Sequence, residues 1–283
     1  MQVSRELLEF SVGEAEGEER DTVALLHGFP DDPAIWTDTS AYLRLQGYRV
    51  VRIALPGFET EESRLRGLSF DETVTRLHAT LEHTGALGCT LMGHDWGAIF
   101  GYLLLLRHPA VASRFIALEI GAGPTSWHLV AFVLAYHAVL NLVYVLGAAF
   151  GPRVGDALMR GLCTGLPRPA YSGCPAPRAR HAWLYRQAWR EGARYGPWWL
   201  YFRSPIAQWQ PVQPFLFLYG RDGARPLRFH TADWREAVTS GHPASRAVGI
   251  AGRHWFFLES LEAFHAEVGS FLAESEVETS APS

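Results

Sequence analysis

The sequence predicts an α/β architecture, a mostly parallel sheet covered by helices on both faces, with one helical segment inserted near the middle. Three observations carry this. Short apolar runs alternate with helix-like patterns over most of the 283 residues, the rhythm of strands joined by crossover helices. Runs such as Val23-Ala24-Leu25-Leu26 and Phe115-Ile116-Ala117-Leu118 are apolar at every position, as strands buried on both faces must be. Between Gly121 and Pro211 the strand rhythm stops, and that interval carries Trp183, Trp189, Trp198 and Trp199.

In chain order, Leu7 to Val12, Thr22 to Leu26 and Arg49 to Ala54 read as strands, with a helix over Asp38 to Gln46 feeding the third. Phe70 to Thr84 reads as a helix, Cys89 to Met92 as a strand, and Ala98 to Arg107 as a helix stopped near Pro109. Strands at Phe115 to Glu119, Phe215 to Tyr219 and Ser245 to Ile250, then an amphipathic stretch from Leu258 to Leu272, complete the core. The expected division is therefore a first core segment over 1–120, a helical cap over 121–211, a second core segment over 212–273, and a frayed tail over 274–283.

Composition excludes several function classes. A net charge of −4 gives no electrostatic case for nucleic acid. Three cysteines without paired spacing argue against a disulfide framework or zinc site, and the chemistry expected of the motifs below requires no metal or organic cofactor. The N-terminus lacks a signal-peptide run, and a cytoplasmic protein is the expectation. Trp127 to Phe150 is apolar enough to raise a membrane question, but His128, His137 and Asn141 interrupt it and basic flanks are missing, which points to a cap helix rather than a span.

The chemistry centres on Gly93-His94-Asp95-Trp96-Gly97-Ala98, placed between a strand and a helix. A sharp strand-to-helix turn needs small neighbours, because the residue at its tip holds a strained backbone and projects out of the sheet. Gly93, Gly97 and Ala98 supply them. A carboxylate at the tip attacks an sp³ carbon and becomes the ester itself, so the expected substrates are small apolar electrophiles, epoxides or alkyl halides, with water as co-substrate. His27-Gly28-Phe29-Pro30 directly follows the Val23 to Leu26 strand, and Gly252-Arg253-His254-Trp255 follows the last strand, where His254 matches the chain order expected of a general base.

These motifs together resemble the epoxide hydrolase and haloalkane dehalogenase group of α/β-hydrolases, over about Leu8 to Leu272. The resemblance implies that the backbone N–H groups of Phe29 and Trp96 form an oxyanion hole. It implies two rivals for the acid that orients His254: Asp222 in Gly220-Arg221-Asp222-Gly223, where many relatives keep it, and Glu119, 24 residues beyond Asp95, as in one branch of the dehalogenases. The balance tips slightly to Glu119, because Arg221 and Arg225 offer Asp222 a surface pairing. His27, His94, Trp198 and Trp199 are candidates to line the substrate pocket. One departure stands out: Ala54 occupies a position where epoxide hydrolases usually carry aspartate.

Epoxide opening also needs a proton for the departing oxygen, which related enzymes take from cap tyrosines. The cap offers Tyr136, Tyr144, Tyr171, Tyr185, Tyr195 and Tyr201. Tyr195 and Tyr201 lie shortly before the Phe215 strand, where the group's second cap tyrosine tends to fall, and are favoured. Halide departure needs donors around the anion; Trp96 offers one, but Phe29 stands where many dehalogenases have a polar partner. Epoxide hydrolysis is thus the primary expectation, with dehalogenation and non-catalytic binding of a small molecule as alternatives.

Overall fold

The computed structural model describes residues 7–58, 68–121, 127–166, 168–171, 173–174, 176–195, 210–223 and 229–280, with backbone alone at 127–130, 194–195 and 275–280. Seven strands, β1 (Phe10–Gly13), β2 (Asp21–Leu26), β3 (Tyr48–Ile53), β4 (Gly88–His94), β5 (Ala112–Leu118), β6 (Phe215–Gly220) and β7 (Arg246–Ile250), form one sheet. Its order is β1-β3-β2-β4-β5-β6-β7. Only β1 is antiparallel, pairing β3 at the edge; the remaining pairs are parallel.

Successive side chains of a strand point to opposite faces, and here both sets are apolar. Ala24, Leu26, Leu91, Phe115 and Phe217 join one buried cluster, while Val23, Leu25, Met92, Ile116 and Leu218 join another. The first is covered by α2 (Phe70–His83), α3 (Trp96–Arg107) and α7 (Ala232–Gly241), through residues such as Leu77, Phe100 and Trp234. The second is covered by α1 (Thr37–Leu45), the short α8 (Phe256–Glu259) and α9 (Leu261–Ser280), through Leu43, Phe257 and Phe264. Helix starts follow local chemistry: Ser69 accepts from the Glu72 N–H, and the Glu72 carboxylate accepts from Ser69 N–H, so α2 opens on a reciprocal cap.

Between β5 and β6 the chain forms α4 (Trp127–Phe150), α5 (Pro152–Cys163) and α6 (Trp183–Tyr195). This insertion is not a separate core. Leu140, Met159, Leu184 and Tyr185 belong to the same buried cluster as β4 and α3. Where α4 and α5 meet, a Cβ on Gly155 would lie 2.5 Å from Gly147 Cα, so the two glycines set how closely these helices approach.

The segment expected to fray begins inside α9. Helix α9 continues to Ser280, past Glu274, whose carboxylate pairs with Arg246 (2.6 Å) and accepts from the Ser270 hydroxyl (2.8 Å). The Arg246 contact ties the helix to β7, and the Ser270 bond holds the Glu274 carboxylate within α9.

Candidate active site

Asp95 occupies the step from β4 into α3, with φ +53° and ψ −119°. A non-glycine residue there is strained, by about 1–3 kcal/mol, and the surroundings must over-determine it. They do. A Cβ at Gly97 would lie 2.3 Å from the Leu26 carbonyl oxygen, and one at Gly28 would lie 2.4 Å from Asp95 Cβ. Small residues at these positions let the loop after β2 lie directly against the turn.

That contact delivers two donors to one oxygen. Phe29 N–H and Trp96 N–H both donate to Asp95 Oδ1, at 3.1 and 2.7 Å. The other oxygen, Oδ2, lies 3.6 Å from His254 Nε2. Burial works against charge on Asp95, but His254, His94 and the Phe29 N–H together hold its carboxyl below the usual range.

His254 is flanked by carboxylates on both ring nitrogens. Its Nδ1 lies 3.8 Å from Glu119 Oε2. Glu119 follows β5 with φ +71°, is buried, and its Oε1 accepts from Gly220 N–H at 2.5 Å. Burial alone would suppress the imidazolium; Asp95 and Glu119 outweigh it and push the pKa up to about 10.

Asp222 does different work. Its Oδ2 accepts from Gly252 N–H (2.7 Å) while its own N–H donates to the Gly252 carbonyl (2.9 Å). It clasps the loop two residues before His254, and among the described residues the carboxylates paired with His254 are Asp95 and Glu119. Glu119→Gln should therefore lower the His254 pKa by about 1–3 pH units, the usual effect of removing an adjacent opposite charge. Asp222→Asn should leave it near its starting value, since the amide oxygen can keep the Gly252 bond. Ring-proton NMR titration of the two variants distinguishes these outcomes, and equal shifts would undo the assignment.

His27 and His94 do not take up the pocket-lining position expected of them. Both are fully buried. Leu55 N–H donates to His27 Nε2 (2.9 Å), which leaves Nδ1–H to donate to the Gly28 carbonyl (3.0 Å), so the ring fastens the loop. His94 Nε2 meets the His254 carbonyl at 3.1 Å, and its ring packs on His254 and Phe257. Burial drives their pKa values down to about 4 and about 3.

The phenols brought over the turn are Tyr136 of α4 and Tyr185 of α6. The Tyr185 ring stands edge-on to Trp96 (5.4 Å between centroids), Phe29 (5.0 Å) and Tyr136 (5.5 Å), and His137 closes the cluster at 4.7 Å. The two phenols also interact with each other, and Tyr185 with the Trp96 side chain. Burial, reinforced by the Asp95 charge, holds both above the ordinary tyrosine range, so they stay protonated donors. Tyr195 ends α6 ten residues beyond Tyr185, roughly 15 Å along the helix axis, and its side chain lies outside the described residues. Tyr201, Trp198 and Trp199 lie outside the described residues.

One participant carried no expectation. Asp31, fully buried, accepts from Trp255 Nε1 (2.8 Å) on one oxygen and from the Tyr171 hydroxyl (2.9 Å) and Arg168 (3.1 Å) on the other. The only signal in the sequence was the pair of carboxylates, Asp31 and Asp32, directly after Phe29-Pro30.

Comparison with known proteins bears on the fold. A family model described as the alpha/beta hydrolase fold matches residues 21–152. Epoxide hydrolase 3 of Xenopus tropicalis is 30% identical over 117 residues, 40% of this chain and 31% of that protein; the match thus spans about a third of the relative's length. Among solved structures, a carboxylesterase study of the thaumarchaeon Nitrososphaera gargenis superposes with a TM-score of 0.67 at 14% identity, covering 98% of both chains. A laboratory-evolved potato epoxide hydrolase gives 0.65 at 18% identity, covering 94% of this chain and 96% of its own. With the sheet order, the strained turn and these likenesses together, the chain has the alpha/beta hydrolase fold.

Proposed function

We propose that this protein opens small apolar epoxides to vicinal diols through a covalent ester on Asp95. The observation that carries the reading is the division of labour on one carboxylate: Oδ1 is held by two backbone N–H groups while Oδ2 faces His254, beneath protonated phenols. Oδ2 attacks an epoxide carbon, the C–O bond breaks, and a phenol hydrogen passes to the departing oxygen. Esterification removes the Asp95 charge. The imidazolium thereby loses its main support, its proton returns to the phenolate, and neutral His254 becomes a base only once there is an ester to hydrolyse. It then takes a proton from water, hydroxide adds to the Asp95 carboxyl carbon, and the Phe29 and Trp96 N–H groups hold the oxyanion on Oδ1. Collapse releases the second hydroxyl with the proton from His254. Glu119 keeps the ring oriented throughout.

Dehalogenation is the weaker reading for a structural reason. The Trp96 side chain is engaged with Tyr185, and Phe29 contributes a ring rather than a donor. We assign the cap role to the 121–211 insertion and place the protein in the cytoplasm, where its three free cysteines suit a reducing compartment. The test is a paired panel of epoxides and haloalkanes assayed for diol and halide. Tyr185→Phe or Tyr136→Phe should cut diol formation by roughly 10²–10⁴-fold. Robust halide release with untouched epoxides would overturn the reaction class, and full epoxide activity in both phenylalanine variants would overturn the donors.

A further inference from the structure

Helix α4 has two unlike faces. Val133, His137, Leu140 and Val143 are buried, following the helical repeat toward the active site. The opposite side is open yet equally apolar: Val139 (45% exposed), Leu142 (55%), Val145 (40%) and Phe150 (69%). From residue 131 to 150 the helix carries no Asp, Glu, Lys or Arg. Helix α5, packed beside it, continues the surface with exposed Val154 and Leu158 and adds exposed Arg153 and Arg160. The single carboxylate of this pair of helices, Asp156, is turned inward, accepting from Ala179 N–H at 2.8 Å.

An exposed apolar face rimmed by polar residues marks an interaction site, and among the described residues of these two helices the exposed charges are Arg153 and Arg160. We infer that the α4–α5 face docks on a lipid bilayer whose surface carries anionic headgroups. The helix is long and apolar enough to cross a membrane, but its inner face holds Tyr136 and His137 against Tyr185, so leaving the fold to span would unroof the site. Lying in the interface keeps that face packed and seats the outer one among acyl chains. Charge decides between lipid and a second copy of this chain. A second copy presenting the same face would bring the same two arginines and no outward carboxylate to meet them, whereas anionic headgroups pair with them. Docking is independent of the reaction assigned to the site; with that reaction, it sets α4, whose inner face packs on Tyr185, against the phase in which apolar substrate dissolves.

The experiment is sedimentation of the full chain with vesicles of phosphatidylcholine, alone or containing phosphatidylglycerol, beside sedimentation equilibrium without lipid. The expected result is binding to phosphatidylglycerol vesicles that falls more than about tenfold in the Leu142→Glu/Val145→Glu double variant, with circular dichroism and thermal midpoint unchanged. Arg153→Gln/Arg160→Gln should lose the preference for phosphatidylglycerol and keep weak binding to both vesicles. Absence of vesicle binding, binding indifferent to the double variant, or a dimer that the double variant dissociates would each overturn the proposal. Equal binding to both lipid compositions would overturn the anionic headgroup. No outcome depends on turnover, so a wrong reaction and a wrong surface are told apart.

Discussion

Asparagine at position 95 is expected to reduce epoxide turnover by on the order of 10⁴-fold or more, the scale seen when a covalent catalyst loses its attacking atom. The amide keeps an oxygen for the Phe29 and Trp96 N–H groups, so the fold should survive and the loss fall on chemistry. His254→Gln should behave differently. Alkylation of Asp95 does not need the base, so the ester should form and persist as an intact-mass increase equal to one substrate molecule. In the unaltered enzyme, a single turnover in ¹⁸O-water should place label in Asp95 rather than directly in the diol. Label confined to the diol, or an adduct on the Asp95→Asn chain, would remove the ester mechanism.

Acidification is expected to unfold the protein well above the pH at which its carboxylates titrate. His27, His94, His137 and His181 are buried, and burial pushes their pKa values down to about 4, 3, 3 and 3. Between pH 6.5 and those values the unfolded chain binds protons that the folded chain refuses, so stability falls as pH falls. At pH 5 each such histidine costs roughly 2 kcal/mol, and four of them approach the net stability of an ordinary domain. His254 acts in the opposite sense. Its pKa is raised to about 10, so its contribution is full below about pH 6.5 and is lost as pH rises toward about 10. Thermal melts across pH 4.5–10 should show the steeper fall on the acid side. A flat profile from pH 6.5 to 5 would contradict the burial of these rings.

The core of the site was legible because it depends on local backbone chemistry. A strained turn demands Gly93 and Gly97 around Asp95, a loop pressed against it demands Gly28, and both demands leave marks in sequence. Glu119 was legible through its place at the end of an apolar strand. The phenols were not. Which face of α6 meets Trp96 depends on how the insertion is laid across the sheet, and spacing from the Phe215 strand pointed toward Tyr195 rather than Tyr185. His27 and His94 show the converse failure: histidines beside a reactive carboxylate look like ligands of the substrate, yet both ring nitrogens of His27 and Nε2 of His94 serve backbone groups. Such a role has no sequence signature distinct from catalysis.

The carboxylate of Asp31 joins three segments that are distant in the chain: its own loop, the insertion through Arg168 and Tyr171, and the base-bearing loop through Trp255. Stripped of any one donor, a fully buried anion becomes costly, so the three segments resist separating one at a time. An excursion of the insertion large enough to free Arg168 and Tyr171 thus draws on the same anchor that seats Trp255, the neighbour of His254. Displacing the insertion at this point would therefore also disturb the seat of His254, the ring that the proposed reaction uses as its base.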